Sequence, residues 1–391
     1  MRVNALDDVK VVDLAAYIAG AYASGLLADL GAQVDKIESF EGDAFRGIVA
    51  GFQSWNRGKR GIVLNLRTQE GREVLYRMVE RADVVVENYR HGVAQRLGAD
   101  YETLRAINPR IIYCTVTAYG TRGPNAGVPG FDPLFQSLSG AMEYQGGANR
   151  PPSFLRIAIS DYSAAIMAAW GVCMALYHRA RTGQGQRVET ALMNSVVAVQ
   201  AGEFLFRNKE PWNSTRVGTF GIDATHRLYK ASDAWLYLAC DTPTQWKQLC
   251  IAIDHPELVS LWETVTSKEE IAITNSLTTI LPERSADVWI QLLAQSKFNP
   301  LTSEQVKLTG LRTSQEFSRD PRHLEQGLII DVDSPEYGPL KESGPPFTFS
   351  ETPGIVRRSA PMLGQHTAEI LSELGYTKDQ ISALKDVQAI P

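Results

Sequence analysis

The sequence predicts an α/β protein built on a mostly parallel sheet. Through the first half of the chain, short apolar runs typical of buried strands alternate with helical segments. This alternation indicates βαβ units, in which consecutive strands are parallel. The chain has 391 residues, of which 44% are hydrophobic and 21% are charged. That composition is ordinary for a folded protein, and the length predicts two domains.

The predicted strands of the first half cover residues 9–14, 33–37, 62–66, 84–87 and 111–117. A helix of small residues that ends at Gly31 follows the first strand, and an amphipathic helix that ends near Ala82 follows the third. Ligands of parallel α/β sheets bind at the carboxyl ends of the strands. We therefore expect the functional site at those ends, which carry residues 16–20, Glu38, Asn88 and residues 117–119.

The stretch from residue 154 to residue 188 contains the strongest candidate for a catalytic group. A strand over residues 155–159 is predicted to end at Ser160 and Asp161, and a long apolar helix follows until Gly183. A carboxylate at a helix start meets backbone N–H groups and the positive end of the dipole, so we expect Asp161 to be ionised at pH 7. An ionised carboxylate can act as a nucleophile without a general base. From this stretch alone, however, a capping role is the commoner one for Asp161.

The second half of the chain changes in character past residue 221. Residues 208–221 are typical of a domain linker, and residues 227–230 and 234–239 predict a two-stranded hairpin. A mostly helical stretch runs from Trp246 to about residue 316, and strand-like sequence returns near Leu328 before two final helices.

Composition argues against several classes of partner. The net charge is −5 and basic runs are absent from the sequence, which argues against nucleic acid and membrane surfaces. The four cysteines show no CxxC and no His/Cys metal spacing, so we expect buried thiols, no metal site and a reducing, cytoplasmic location. We expect no signal peptide, since folded sequence starts at once. The apolar run over residues 162–177 is shorter than a membrane span and predicts a core helix instead.

A nicotinamide-binding Rossmann domain is the first alternative for the predicted sheet. Its fingerprint needs GxGxxG after the first strand, so that the backbone can approach a pyrophosphate. The turn here reads AAYIAGAYASG, in which Gly20 and Gly25 lack that spacing and the third glycine is missing. This alternative is therefore weak, although anion binding at the start of the following helix stays open.

Short motifs occur in a fixed order over nearly the whole chain. They are Lys36-Ile37-Glu38 with Gly42-Asp43, Asn56 with Lys59-Arg60, Ala82-Asp83-Val84 with Glu87-Asn88, Asn108-Pro109-Arg110-Ile111, Gly130-Phe131-Asp132, Asp161, Arg181-Thr182-Gly183-Gln184-Gly185-Gln186 and Ala360-Pro361-Met362-Leu363-Gly364-Gln365-His366-Thr367. With these motifs in this order, the chain resembles the class III CoA-transferase family, the CaiB/BaiF type that includes formyl-CoA transferase-like enzymes.

The resemblance implies a fold, an assembly and a reaction. It implies a Rossmann-like large domain from residues 1–208 with a C-terminal return over residues 328–391, and a smaller α+β domain over residues 222–318. Two such chains would form an interlocked, ring-like homodimer. The family's catalytic aspartate falls on Asp161, which implies CoA transfer from an acyl-CoA thioester to a free carboxylic acid. That route passes through an acyl-aspartyl anhydride and an aspartyl-CoA thioester, with CoA as cosubstrate and no permanently bound cofactor.

The resemblance also implies the residues that contact CoA. From the residues alone, Asn88 fits a loop cap equally well, and Arg67 and Arg96 fit solvated helix faces better. Phe131 and Asp132 are candidates for supporting the site, where Asp132 either orients the site or holds the loop. The implied CoA contacts are Tyr17, Ile18, Ala19, Leu64, Asn65, Arg67, Asn88, Tyr89 and Arg96.

The sequence departs from the family pattern at three places. Ser39 replaces a basic residue that some members carry, and Ile18 replaces a frequent Gln. Residues 217–221 keep only Gly218 and Gly221 of the glycine-rich loop that shields the aspartyl intermediate in oxalate-using members. We therefore expect an acceptor other than a small dicarboxylate that is handled by such a loop.

Three other functions stay open at this stage. A racemase or epimerase of 2-methylacyl-CoA needs an acid and a base on opposite faces of the α-carbon, but Phe131 stands where the related racemases carry His. A non-catalytic CoA-ester-binding subunit would have no need of Asp161. A CoA-ester lyase or hydratase on the same scaffold is the third.

Overall fold

The computed structural model describes residues 4–147, 150–207, 210–211, 220–262, 267–295, 307–310 and 312–391. Their packing divides the chain into two compact units. The first unit combines residues 1–139, 156–201 and 318–391, and the second combines residues 140–155 and 202–317. The sequence-based division into domains did not assign residues 140–155 to the middle of the chain, and it stays a prediction.

The first unit is built on a six-stranded sheet in which every neighbouring pair of strands is parallel. The strands are β1 (Lys10–Asp13), β2 (Gln33–Glu38), β3 (Arg60–Val63), β4 (Val84–Glu87), β5 (Ile112–Thr117) and β6 (Arg187–Ala191). Their order is β3-β2-β1-β4-β5-β6, so the strand order reverses between β1 and β4. The predicted α/β class and the parallel sheet are thereby confirmed.

The remaining strands form smaller antiparallel sheets. In chain order they are β7 (Phe206–Arg207), β8 (Glu210–Pro211), β9 (Gly221–Asp223), β10 (His226–Lys230), β11 (Trp235–Ala239), β12 (Lys307–Gly310), β13 (Ile329–Ser334) and β14 (Gly338–Ser343).

Helices connect most of these strands. In chain order they are α1 (Ala19–Asp29), α2 (Val49–Asn56), α3 (Gln69–Glu80), α4 (Val93–Arg96), α5 (Tyr101–Ile107), α6 (Asp132–Leu138), α7 (Ala141–Gly146), α8 (Ile159–Thr182), α9 (Leu192–Val199), α10 (Pro243–Ala252), α11 (Ser267–Ile280), α12 (Ala286–Gln295), α13 (Ser314–Arg319), α14 (Pro321–Glu325), α15 (Thr367–Glu373) and α16 (Lys378–Asp386). Short 3₁₀ segments cover Ala44–Gly47, Ala201–Phe204, Pro256–Trp262 and Leu281–Glu283.

Two hydrophobic cores cover the two faces of the parallel sheet. Successive side chains of a strand point to opposite faces, and Val11 packs into a core with α1 and α8 while Val12 packs into a core with α3, α15 and α16. The small residues of α1 allow α8 to lie close to it. The C-terminal helices thus complete the core that begins at the N-terminus.

The start of α8 differs from the sequence prediction. Residues 151–158 form no strand, and α8 begins at Ile159. The strand was predicted from an apolar run, but β6 occupies the sheet position beside β5, and Ile157 is 70% exposed. Asp161 is consequently the third residue of the helix instead of its cap. The predicted end is confirmed, because Gly183 adopts a left-handed φ of 75° after Thr182.

One face of α8 is buried and the other is exposed. Among the described helices, α8 is the one long and apolar enough to pass for a membrane span, a test that core helices of soluble proteins also pass. Its small side chains pack on α1, in agreement with the predicted core helix. Its exposed stripe is Ile166, Trp170, Met174 and Tyr177.

The second unit contains a four-stranded antiparallel sheet with the order β12-β11-β10-β9. The predicted hairpin is confirmed as β10 and β11, whose residues pair from His226 with Ala239 to Lys230 with Trp235. Helices α10, α11 and α12 pack around the fully buried Trp246 and Trp289. Most of the predicted linker over residues 208–221 lies outside the described residues.

Candidate active site

A cavity of about 260 Å³ opens at the carboxyl ends of β1, β4 and β5. All of its lining residues belong to the first unit. The wall combines residues 17–19 after β1, residues 87–89 at the end of β4, residues 115–118 at the end of β5 and Asp161 on α8. The cavity therefore lies where the strand order reverses, which is the usual ligand position in such sheets.

The turn after β1 adopts an unusual backbone conformation. Tyr17 has a φ of +63°, a left-handed value that is uncommon for residues other than glycine. Its ring is 43% exposed and packs edge-on against Phe45, with centroids 5.0 Å apart. Gly20 permits the close approach behind the turn, because a Cβ atom there would lie 2.5 Å from the Cβ atom of Ala15. The sequence thus forms a tight, shaped wall from residues 17–19.

Asn88 fastens this turn to the end of β4. Its Oδ1 accepts a hydrogen bond from the Ala16 N–H at 2.9 Å, and its Nδ2 donates to the Ala16 carbonyl at 2.7 Å. The adjacent Glu87 carboxylate accepts from the Tyr89 N–H at 2.8 Å and from the Thr115 hydroxyl. Burial raises the pKa values of both Glu87 and Tyr89. Side chains from β4 and β5 therefore fix the shape of the cavity wall.

Asp161 is half-buried on the cavity wall, and its pKa is raised to about 7. Burial is the main cause and the nearby negative charge of Asp132 adds to it. No described residue donates a hydrogen bond to the carboxylate. The sequence predicted an ionised Asp161 at pH 7, whereas a pKa of about 7 corresponds to a carboxylate that is about half ionised at that pH. The helix dipole acts on Asp161, but desolvation and like charge outweigh it.

Asp132 holds the first turn of α8 in place. Its carboxylate is buried and accepts the N–H of Ser160 at 2.8 Å and the hydroxyl of Ser160 at 2.7 Å. Gln136 donates to its other oxygen. Because Ser160 precedes Asp161 directly, these bonds fix the residue beside the catalytic candidate. Phe131 lines the same cavity and is 63% exposed.

The structure brings some of the predicted CoA contacts to the Asp161 cavity and leaves others apart. Asn65 donates from Nδ2 to the carbonyl of Gln388 at 3.1 Å, and Leu64 belongs to the core beside α3. Their roles in CoA binding stay predictions. The residues on the cavity wall are Tyr17, Ile18, Ala19, Asn88 and Tyr89, and those away from it are Leu64, Asn65, Arg67 and Arg96.

Several cavity residues were not identified from the sequence. Glu87, the last residue of a correctly predicted strand, could have been found from its place before Asn88. Phe45, Thr115 and Arg187 reach the cavity from separate elements, and only the fold brings them together. Within the described part of the chain, no cluster of His, Cys, Asp or Glu could hold a metal ion. The cavity can offer a carboxylate nucleophile on a helix start, with polar groups and aromatic rings around it.

The chain is similar to known CoA-transferases over nearly its whole length. Residues 6–367 match the model of CoA-transferase family III. The chain is 33% identical to a succinyl-CoA:mesaconate CoA-transferase of Haloarcula hispanica, covering 95% of this chain and 97% of that one. It is 30% identical to a succinate–glutarate CoA-transferase of Agrobacterium fabrum, covering 94% and 95%.

A solved structure of a CAIB/BAIF family protein from Brucella suis has a similar fold. Its TM-score is 0.84 at 31% identity, covering 95% of this chain and 100% of that one. The family match spans both the parallel sheet and the Asp161 cavity. The chain therefore belongs to CoA-transferase family III and is an enzyme of that family.

Proposed function

We propose that this enzyme moves CoA from an acyl-CoA thioester to a free carboxylic acid, with Asp161 as the nucleophile. The observation that carries the proposal is the position of the Asp161 carboxylate. It lies in the same cavity as the strained Tyr17 turn and the Asn88 loop, at the reversal point of the sheet. A carboxylate at this point can meet the thioester carbon of a ligand bound along the strand ends.

The reaction would run in four exchanges on one side chain. The Asp161 oxygen attacks the thioester carbonyl and the CoA thiolate leaves, which gives an acyl-aspartyl anhydride. The thiolate then attacks the aspartyl carbonyl, releases the donor acid as its carboxylate and forms an aspartyl-CoA thioester. The acceptor carboxylate displaces the thiolate to form a second anhydride. Finally the thiolate attacks the new acyl carbonyl and frees Asp161.

The environment of Asp161 suits this chemistry in two ways. A pKa near 7 makes the carboxylate a stronger nucleophile than an ordinary aspartate, while a large fraction stays ionised at neutral pH. Partial burial limits water, which would otherwise hydrolyse the anhydrides. The carboxylate is also free of described hydrogen bonds that would reduce its reactivity.

We propose succinyl-CoA as the donor and a dicarboxylic acid of four or five carbons in its main chain as the acceptor. Support comes from relatives that are named for succinyl-CoA with mesaconate, for succinate with glutarate and for succinyl-CoA with D-citramalate. The expectation that the acceptor is not a small dicarboxylate handled by a glycine-rich loop depends on residues 217–221. Residues 217–219 lie outside the described part of the chain, so that expectation stays a prediction. We also propose that the enzyme works in the cytoplasm, since all four cysteines are free thiols.

We further propose a homodimer of interlocked chains. The support is the exposed stripe of α8, in which Ile166, Trp170, Met174 and Tyr177 follow at intervals of three or four residues and share one face. Such a continuous apolar surface indicates a protein partner. Interlocked chains should remain dimeric on dilution to nanomolar concentration, which light scattering and mass photometry can measure. A rapid monomer–dimer equilibrium would contradict interlocking.

A racemase-like function has less support. It needs a second acid–base group opposite Asp161, and the position that would carry it holds Phe131, an exposed side chain of the cavity wall. A non-catalytic CoA-ester subunit would not need a reactive carboxylate in the cavity. Exchange of the α-proton of 2-methylacyl-CoA in deuterated water, without CoA transfer, would favour the racemase.

The decisive experiment combines product analysis with trapping of the intermediate. The enzyme is incubated with succinyl-CoA and either mesaconate or glutarate, and mass spectrometry follows new CoA esters. Hydroxylamine added during turnover should convert Asp161 to a hydroxamate, which peptide mapping detects as a mass change on that residue. Asp161→Asn is the matched control and should form neither product nor hydroxamate. Transfer without labelling of Asp161, or transfer by Asp161→Asn, would overturn the covalent route.

A further inference from the structure

The turn that carries Tyr17 is held by side chains from deep inside the first unit. The N–H of Ala15 donates to Asp13 Oδ1 at 2.9 Å, and Lys36 Nζ donates to the carbonyl of Ala15 at 2.6 Å. The N–H of Tyr17 donates to Asp43 Oδ1 at 3.3 Å. Asn88 accepts from the N–H of Ala16 and donates to its carbonyl, so five backbone groups of the turn have buried or half-buried side-chain partners.

These partners belong to one set of buried charges, the charge cluster, which consists of Asp13, Lys36, Asp43 and Lys59. Lys36 Nζ lies 3.2 Å from Asp43 Oδ2, and Lys59 Nζ lies 2.8 Å from Asp13 Oδ2. All four side chains are 0–1% exposed. The cluster holds two positive and two negative groups, so its formal charge is balanced.

Burial disfavours the charged forms of both lysines of the cluster, but their pKa values move in opposite directions. Burial acts to lower the pKa of Lys36, but Asp13 and Asp43 outweigh it and raise that pKa. Burial lowers the pKa of Lys59 to about 8, although Asp13 acts in the opposite direction. Removing four charges from water is costly, and a buried ion pair often adds no stability over apolar residues of the same volume. Since stability alone does not account for the cluster, we consider its hydrogen bonds to the Tyr17 turn.

Asp43 connects the cluster to two parts of the cavity wall. Its Oδ1 accepts from the N–H of Phe45 at 2.9 Å as well as from the N–H of Tyr17, and the rings of these two residues are in edge contact. Tyr17 and Phe45 both line the Asp161 cavity. The strained φ of Tyr17 persists only if its surroundings enforce it, and Asp43 supplies a direct bond to that residue.

We propose that Lys36 and Asp43 are positioning residues for the acyl-CoA substrate, because they hold the strained Tyr17 turn in the shape against which the thioester binds. This inference rests on the proposed function, since it assumes that the turn contacts CoA. It assigns no chemical step to the cluster. Positioning of this kind contributes to binding in both the ground state and the transition state, so its loss should raise KM more than it lowers kcat.

The first unit offers a matched control in the ion pair between Arg57 and Asp29. Their side chains lie 2.7 Å apart and are 1% and 2% exposed. Arg57 also reaches Glu342 and the carbonyl of Ser343, and none of these residues lines the cavity. Breaking this pair should therefore cost stability without reshaping the Tyr17 turn.

The experiment compares Lys36→Met and Asp43→Asn with Arg57→Met and Asp29→Asn. CoA affinity is measured by calorimetry well below each melting temperature, and KM and kcat are measured with succinyl-CoA. We expect the cluster variants to bind CoA about tenfold more weakly, with kcat reduced by less than about threefold. Amide hydrogen exchange in a peptide that spans residues 14–20 should be about tenfold faster. The control variants should keep wild-type affinity and exchange in this peptide.

A double variant, Lys36→Met with Asp43→Leu, removes both charges of one pair and avoids leaving a lone buried charge. It should show the same loss of CoA affinity even where a single variant folds poorly. Wild-type affinity and exchange in the folded cluster variants, or equal losses in the control variants, would overturn the proposal. Wild-type enzyme that binds CoA but transfers it to no acid would refute the proposed function instead, and the exchange comparison would still test the turn.

Discussion

Asp13 is fully buried and Asp161 is half-buried in the first unit, and their pKa values move in opposite directions. Burial and the charge of Asp132 raise the pKa of Asp161 to about 7, and no described residue donates to it. Burial also acts to raise the pKa of Asp13, but Lys59 and Lys36 outweigh it and lower that pKa. The comparison shows that the charged groups beside a carboxylate can outweigh burial and decide in which direction its pKa moves.

The two carboxylates also differ in what they can do. Asp13 accepts from Lys59 at 2.8 Å, from the hydroxyl of Ser24 at 2.8 Å and from the N–H of Ala15 at 2.9 Å, so its oxygens are occupied. Asp161 faces the cavity without such bonds. A carboxylate with satisfied lone pairs serves structure, while one without them is available to attack a substrate.

The largest effect should follow the removal of the proposed nucleophile, an oxygen of the Asp161 carboxylate. Asp161→Asn should lower kcat/KM for CoA transfer by a factor of about a thousand or more, because the amide cannot form the anhydride. The measurement is the initial rate of succinyl-CoA consumption in the presence of glutarate. Asp161→Glu tests geometry, since it keeps the charge and shifts the oxygen. Near-normal transfer by Asp161→Asn would show that Asp161 is not the nucleophile.

The same substitution at the two aspartates should change stability in opposite directions. The folded-state pKa of Asp161 is raised, so the folded protein keeps a proton that the unfolded chain releases between about pH 4 and pH 7. Ionisation therefore reduces stability as pH rises through that window. Asp161→Asn should raise the free energy of unfolding at pH 8 by about 1–3 kcal/mol.

For Asp13 the folded-state pKa is lowered, so its contribution to stability is present above about pH 4 and is lost as pH falls through the folded value. Asp13→Asn takes the negative charge from beside Lys59 and should lower the free energy of unfolding. The expected loss is about 1–3 kcal/mol at pH 8, because Lys59, with a pKa of about 8, can release its proton there. Urea unfolding of both variants at pH 8 and pH 5 is the measurement. Two changes of the same sign would show that the lysine partners of Asp13 do not reverse the effect of burial on its stability contribution.

The pH dependence of the wild-type enzyme should report the unpartnered carboxylate. With a pKa of about 7, only about 1% of Asp161 is ionised at pH 5. We expect kcat/KM for succinyl-CoA to fall about tenfold per pH unit below pH 7, and about a hundredfold between pH 8 and pH 5. Rates are measured in buffers of equal ionic strength. A profile that stays flat down to pH 5 would mean that the reactive carboxylate titrates like an exposed one.

Much of the fold could be predicted from the sequence, because strand interiors are apolar and helix ends carry recognisable residues. The strand over residues 84–87 and the helix end at Gly183 have the predicted positions. The strand over residues 155–159 failed because an apolar run does not show which strand will pair with it. In the folded sheet β5 pairs with β6, which comes later in the chain, and residues 151–158 form no strand.

Several residues of the candidate site could be predicted from the sequence, but the contacts that set their pKa values and backbone conformation could not. Asp161, the Tyr17 turn and Asn88 were identified from their places in the chain and from the family motifs, and they share one cavity. The raised pKa of Asp161 depends on Asp132, and the support of Tyr17 depends on Asp43. Neither partner is near in sequence, so only the folded chain shows these contacts.

The smallest expected effect concerns the charge beside Asp161. Asp132→Asn removes that charge and keeps an oxygen for the Ser160 N–H, so the pKa of Asp161 should fall. The acid limb of the pH profile should then move to lower pH, and the ratio of kcat/KM at pH 6 to that at pH 8 should rise roughly two- to fivefold.

Ser160→Ala provides the matched control for Asp132→Asn. It removes the hydroxyl that donates to Asp132 but leaves the Asp132 charge in place. If charge is what tunes Asp161, the control should leave the acid limb at the wild-type pH even where kcat falls. An equal shift in both variants would mean that the shape of the first turn of α8 sets the pKa of Asp161, and not the charge of Asp132. Asp161 would then differ from Asp13 through its lack of donors alone.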